Sequence, residues 1–336
     1  MNTQPFVSVI IPIRNEAGFI TRSLGAILTQ DYPPDRMEVL IADGMSTDAT
    51  RDKIAAITQQ YPHIPVIILD NLSKYVPGGL NLALQRAKGD VIVRVDGHTI
   101  IDPTYVTECV AALQRTEADN VGGRMVATGT TPFGEAVALA TSSPFGVGGA
   151  RFHYSDKEEW VDTVYMGAWP RATFDRNGTF DEELIRNQDD EFNYRLLNWG
   201  GKILLSNRIR STYYNRGSLQ ALARQYFEYG YWKVRVMQKH PKQVRPRQLV
   251  PAALVTVLIG GALLAPFSRL IGYGWLLAVV LYAAGNLAAS ISLASRNGWR
   301  HIRWLPIAFF TIHISYGSGF LVGLLKFAPR WSQAKP

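Results

Sequence analysis

The sequence is poor in cysteine throughout and in acid over its last third. Cys109 stands alone among 336 residues. No intramolecular disulfide can brace the fold, and a reducing compartment suits the chain. From residue 224 onward one carboxylate, Glu228, faces 14 lysines and arginines, a balance of +13. Residues 1–223 hold 21 basic and 26 acidic residues, a balance of −5. The net charge of +8 therefore conceals an ordinary, faintly acidic front and a basic back. Also missing are a charged, cleavable leader, an internal repeat and a low-complexity tract. No G-x-G-x-x-G phosphate loop is present, which disfavours a dinucleotide site.

A basic, acid-free back meets membrane or nucleic acid, and hydropathy decides for membrane. Residues 249–267, 270–293 and 305–327 are apolar runs. Each is close to the ~20 residues that cross ~30 Å of hydrocarbon. Buried core helices are the alternative. Trp275, Trp304, Tyr316 and Trp331 lie near several of the ends, where amphipathic rings favour the interface. Lys233, Arg235, Lys239, Lys242, Arg245 and Arg247 precede the first run, and Arg296, Arg300 and Arg303 follow the second. Three spans with the N-terminal domain in the cytoplasm put both clusters inside. The expectation is a multi-pass protein of the inner (plasma) membrane, with lipids as partners and no nucleic acid. Lys326, Arg330 and Lys335 run against it by falling outside, and a re-entrant first run between Pro251 and Pro266 is a variant. Mid-span His313 hydrogen-bonds a neighbouring helix or has a function of its own.

Ahead of the runs, residues 218–237 carry apolar or aromatic side chains at 219, 222, 226, 229, 232 and 236, with Arg224, Lys233 and Arg235 on the flanks. That stripe predicts a basic amphipathic helix in the membrane interface. The chain thus divides into 1–217, an interfacial 218–247 and a transmembrane 248–336.

The front alternates strand-like runs at 7–12, 38–42, 66–69 and 91–95 with helical patterns at 17–29, 47–60 and 79–87. Ser46 or Thr47 can cap the second helix, and Gly89 can end the third. Such alternation predicts an α/β fold with a parallel sheet covered on both faces. Ligands then sit beyond the carboxyl ends of the strands. Three polar clusters lie there: Pro12-Ile13-Arg14-Asn15-Glu16, Asp43-Gly44 and Asp96-Gly97-His98. Asp43 can accept from a ribose hydroxyl or a base N–H, or simply start a turn. One oxygen of Asp96 and one imidazole nitrogen of His98 suit Mn²⁺ or Mg²⁺, with diphosphate oxygens completing the shell. His98 bonding a loop carbonyl is the plainer reading.

Further on, Asn187-Gln188-Asp189-Asp190-Glu191 reads as a helix that opens with acids, as the helix dipole favours. One of the acids can instead act as general base. Residues 174–184 read as a loop turning at Asn177-Gly178, whose N-G-T acceptor pattern has no use on a cytoplasmic face. Residues 146–151, GVGGAR, read as a mobile lid, an acceptor loop or a plain linker.

Taken in order, four segments resemble the family 2 glycosyltransferases with a GT-A fold. They are SVIIPIRNE with ADGMSTDAT; GGLNLALQRAKGDVIVRVDGH; VDTVYMGAWPRATF through TFDEELIRNQDDEFNYRL; and RQYFEYGYWK. The resemblance covers roughly residues 6–240. It extends to the membrane-anchored exopolysaccharide enzymes of the succinoglycan glucosyltransferase group, where D-x-H replaces D-x-D. It implies a Rossmann-like, mostly parallel sheet with helices on both faces. Pro12, Arg14, Glu16, Asp43 and Asp96 would surround the nucleotide, and Asp96 with His98 would hold Mn²⁺ or Mg²⁺. Asp189 matches the base of the family's E-D-x-[DE] pattern and Glu191 its last acid. Gln188 replaces the pattern's first Glu, and Asp190 is the alternative base. Processive synthases carry Q-x-x-R-W, whereas Gln225 is followed here by Tyr226, Phe227, Glu228 and Tyr229; Gln225, Tyr229 and Trp232 remain further candidates. The mismatch, with only three spans, implies a single addition.

The implied reaction is inverting transfer of one sugar from a nucleotide sugar, UDP-linked by preference. The implied acceptor is a saccharide on a polyprenyl diphosphate. A polyprenyl-phosphate sugar synthase of the same fold, a nucleotidyltransferase and a nucleotide-binding scaffold without turnover are the rivals.

Overall fold

The computed structural model describes residues 4–215 and 217–333. Lys335 and the side chain of Trp331, both invoked above, lie outside the described residues. The chain forms two compact units, Met1–Val126 with Arg151–Tyr213, and Ala127–Ala150 with Tyr214–Pro336.

The first unit begins with strands and helices in strict alternation: β1 (Val7–Ile13), α1 (Ile20–Leu28), β2 (Met37–Asp43), α2 (Thr50–Thr58), β3 (Val66–Asp70), α3 (Val76–Arg86) and β4 (Val91–Arg94). β1 pairs in parallel with β2 and β4, and β2 with β3. β1 and β2 are apolar at nearly every position because both faces are covered. Val9, Ile11, Val39 and Ile41 pack under α1 and α2 with Ile20, Leu24 and Ile54. Ile10, Leu40 and Ile92 face the opposite way, against Leu80 and Leu84 of α3.

Beyond β4 both strand directions occur. β5 (Thr99–Ile101), α4 (Tyr105–Thr116) and β6 (Asn120–Thr128) lead to α5 (Pro132–Thr141) and α6 (Pro144–Val147); then come β7 (Glu159–Trp160), β8 (Tyr165–Pro170), α7 (Arg171–Asn177), α8 (Gln188–Asn198) and β9 (Ile203–Tyr214). The strand order is β3-β2-β1-β4-β8-β6-β9-β5, with β7 on β9. β8 runs antiparallel to β4 and β6, and β5 and β7 run antiparallel to β9. The sheet is thus mixed, and its strands beyond residue 95 were not foreseen.

Several local expectations shift. Asp48, not Ser46 or Thr47, serves α2, accepting the Thr50 N–H at 3.1 Å. Ser46 and Thr47 instead lace the β2 loop to Asn15. α3 ends before Ala87, short of Gly89. Residues 174–177 are helical, while 178–184, opening at Gly178 (φ 73°), form the expected loop. Residues 144–147 are helical where an open loop was one reading.

The second unit contains α5 and α6 with α9 (Leu219–Lys239), α10 (Val250–Leu264), α11 (Arg269–Asn297) and α12 (Leu305–Phe327). The 1–217 boundary therefore gives way: Ala136, Val137 and Ala140 of α5 pack with Leu305, Ala308 and Phe309 of α12. Ser218 caps α9, accepting the Ala221 N–H. α9 does not lie as a lone interfacial stripe. Lys233, Val234, Val236 and Met237 are buried, and Gly230 backs onto the main chain of Tyr316 and Phe320. Among the described residues three helices are long and apolar enough to cross a membrane: Val250–Phe267, Arg269–Asn297 and Leu305–Arg330. His313 pairs with neighbours, its Nε2 at 2.8 Å from the Phe145 carbonyl and its Nδ1 at 3.1 Å from the Tyr282 hydroxyl.

Candidate active site

The site grows from the end of β4. Arg94 is a charged residue on an apolar strand, only 5 % exposed. Its Nε donates to Asp96 Oδ1 at 2.9 Å and its Nη2 to Oδ2 at 3.3 Å. β8 runs antiparallel beside β4 and brings the Tyr165 hydroxyl to 3.5 Å from Asp96 Oδ2 and 2.6 Å from Thr99 Oγ1. The Gly97 carbonyl accepts from Ser23 Oγ at 2.7 Å. His98 Nδ1 lies 3.1 Å from Glu16 Oε1, and its ring meets Tyr213 edge-on at 5.4 Å. The clusters after β1 and β4 are thus one site.

Charge is concentrated here. Burial pulls the Arg94 pKa down, but the carboxylates of Asp96 and then Asp189 outweigh it, leaving the guanidinium held above its ordinary value. Burial, aided by Asp96, pushes the Tyr165 phenol well above its ordinary range, so it stays neutral. Asp189, at the start of α8, thus adds to the negative field on Arg94.

The remaining predicted residues divide. Pro12 is half-buried in β1 and Arg14 is exposed beyond it. Asp43 is fully enclosed, accepting from Ser46 and from the Arg51 guanidinium. As it stands its carboxylate braces its own turn, with Arg51 reaching on to Asp70. Asp189 Oδ1 accepts the Asp190 N–H at 2.9 Å. Glu191 is buried and gripped by both arms of Arg195, at 2.7 and 2.9 Å, so it holds α8 rather than facing outward. Gln225 and Tyr229 bond each other along α9 at 2.9 Å. Trp232 packs with Tyr231 and Phe327 in the second unit.

Among the described residues no three His, Cys, Asp or Glu side chains form a metal cluster. Asp96 and His98 supply the oxygen and nitrogen donors that would hold a divalent ion completed by substrate, with both Asp96 oxygens meanwhile bonded to Arg94. Glu16 is an acceptor for Nδ1–H, which leaves the Nε2 lone pair as the ligand atom, the arrangement common behind metal-binding histidines. Sequence reasoning missed Arg94 and Tyr165. For Arg94 a signal existed, an arginine inside the run VIVRVD; for Tyr165 there was none, since only the β4–β8 pairing brings it in.

The family model described as Glycosyl transferase family 2 matches residues 8–173. Succinoglycan biosynthesis protein ExoA of Rhizobium meliloti (strain 1021) is 29 % identical over 326 residues, covering 96 % of each chain. The chain is a family 2 glycosyltransferase. A second relative of this glycosyltransferase spans equally much of it. This is dolichyl N-acetyl-α-D-glucosaminyl phosphate 3-β-D-2,3-diacetamido-2,3-dideoxy-β-D-glucuronosyltransferase of Methanococcus voltae, 27 % identical over 331 residues, 96 % of this chain and 98 % of that one. Among solved structures, mannosyltransferase PcManGT of Pyrobaculum calidifontis superposes with a TM-score of 0.66 at 20 % identity, over 97 % of this chain and 88 % of that one. The fold of the glycosyltransferase is GT-A, followed by helices of membrane-spanning length.

Proposed function

We propose that this glycosyltransferase moves one sugar from a nucleotide sugar, UDP-linked by preference, to a lipid-linked saccharide on a polyprenyl diphosphate, with inversion. The relationship on which we rest the site assignment centres on Arg94, whose guanidinium holds Asp96 through two hydrogen bonds and also feels the charge of Asp189. Asp189 takes the proton of the acceptor hydroxyl as that oxygen bonds to the anomeric carbon. The carbon–oxygen bond to the diphosphate breaks with its electron pair, and the nucleoside diphosphate leaves. Glu16 holds His98 for an ion shared with Asp96. Such an ion, Mn²⁺ or Mg²⁺, supplies neutralisation of the departing diphosphate. Pro12, Arg14 and Asp43 border the nucleoside.

The relatives support the acceptor and the setting. One is named for succinoglycan biosynthesis and the other for transfer to a dolichyl phosphate-linked sugar. With basic residues ahead of α10 and after α11, a cytoplasmic catalytic domain on the inner membrane follows from the positive-inside rule. PcManGT was solved with GDP-Man and Mn²⁺, so GDP-linked donors belong in the same screen.

The test is transfer from UDP- and GDP-sugars to a lipid-linked acceptor, by wild type and by Asp189→Asn and Asp190→Asn. Asp189→Asn is expected to lose about 10²–10⁴ in kcat, and Asp190→Asn far less. Full activity in Asp189→Asn removes the base assignment. Good transfer to a bare polyprenyl phosphate, with a mild Asp189→Asn effect, points instead to a polyprenyl-phosphate sugar synthase.

A further inference from the structure

Arg94 runs against the ordinary rules of a sheet core. It lies between Val93 and Val95, both fully buried, and is itself 5 % exposed. Two of its nitrogens hold Asp96, at 2.9 and 3.3 Å. The third, Nη1, is buried and has no acceptor among the described residues. A buried donor left unsatisfied is costly, and arginine cannot escape the cost by losing its proton. The planar fork that grips Asp96 through Nε and Nη2 turns Nη1 along another edge. A donor placed so waits for an acceptor the protein does not provide.

We propose that Arg94 is a built-in counter-ion: it holds Asp96 against divalent cations until a nucleoside diphosphate arrives, and then gives Nη1 to the diphosphate. This rests on the metal reading of Asp96 and His98 given above. A divalent ion on Asp96 has a fixed positive charge as its neighbour, in a site where water screens poorly. Repulsion of that kind weakens binding by more than about tenfold. A diphosphate reverses the balance, since its negative charges attract the ion and the guanidinium together. Ion and nucleotide therefore bind as a unit, each raising the affinity of the other by the same factor. Arg94 acts through Asp96 before the donor binds, as a positioning residue, and touches the donor afterwards.

The test is Mn²⁺ binding to the full chain in detergent, followed by the electron paramagnetic resonance signal of free Mn²⁺, with no nucleotide, with UDP and with GDP. Wild type should bind Mn²⁺ weakly alone and at least about tenfold more tightly with the matching nucleoside diphosphate. Arg94→Met should bind Mn²⁺ alone about tenfold more tightly than wild type, narrowing the gap. Arg94→Lys keeps the charge and should keep Mn²⁺ alone weak. Asp96→Asn should lose the ion under every condition.

Equal Mn²⁺ affinity of wild type with and without nucleotide overturns the proposal, and so does an undiminished gap in a folded Arg94→Met. Should Arg94→Met not fold, the wild-type gap decides. Mn²⁺ at Asp96 regardless of nucleotide leaves the metal reading intact and removes only the role of Arg94. Wild type no better than Asp96→Asn under any condition removes the metal reading, and this proposal with it.

Discussion

Glu16 and His98 come from different strand ends, 82 positions apart in sequence, and meet at 3.1 Å. The pairing decides which imidazole nitrogen is left for a ligand. With the carboxylate as acceptor Nδ1 is the donor, which in the neutral ring leaves the lone pair on Nε2. Removing Glu16 should free the ring to rotate and change tautomer. Glu16→Ala is expected to weaken Mn²⁺ binding in the presence of nucleotide by about 10–100-fold. The same titration on Glu16→Gln should show partial recovery, because the amide oxygen can still accept from Nδ1.

Gly97 separates the two proposed ligands for a steric reason. A Cβ there would stand 2.6 Å from Ile13 Cγ2 and 3.2 Å from Glu16 Cγ. Gly97→Ala should therefore cost about 1–3 kcal/mol of stability, as overpacking does. It should also push Glu16 off His98. A lower thermal midpoint together with weaker Mn²⁺ binding is the expected result; an unchanged midpoint would mean the loop after β4 yields freely.

His153 provides a pH dependence. Its Nδ1 is sealed without a partner among the described residues, and burial pulls its pKa from the ordinary 6.5 down to about 4. The unfolded chain therefore binds more protons than the folded one between those values. Stability from the neutral ring is complete above 6.5 and is lost as pH falls toward 4. Thermal midpoints should drop across that window, and His153→Phe should flatten the drop. Equal slopes in both proteins count against a neutral His153 with its Nδ1 sealed.

α9 and α12 owe their close approach to missing side chains. A Cβ on Gly230 would lie 2.0 Å from the Tyr316 carbonyl oxygen, a backbone atom that cannot swing away. Gly230→Val should force the helices apart and cost at least about 3 kcal/mol. Loss of monodisperse protein in detergent, or a sharply lowered midpoint, is the readout.

The sequence by itself determined the elements whose surroundings are uniform. β1, β2 and β4 are apolar on both faces because helices cover both, so they stand out as runs. The apolar lengths of α10, α11 and α12 are set by composition alone, as is the acid-rich opening of α8. The polar clusters at the strand ends were legible too, since parallel strands deliver their carboxyl ends to one edge.

Only the tertiary structure decided what depends on partners distant in the chain. β6, β8 and β9 alternate less clearly and pair far apart, so nothing local marks their register. Arg94 looks like an interruption of a strand until Asp96 folds back onto it and Asp189 arrives from α8. Asp43 looks like an open carboxylate until Arg51 closes over it. Residues 127–150 look like part of the first domain until α5 packs on α12. The deciding contacts range from two residues apart, as in Arg94 with Asp96, and eight, as in Asp43 with Arg51, to well over a hundred, as in α5 with α12. The local pattern carries no trace of such a contact, because burial and charge pairing are properties of the assembled site.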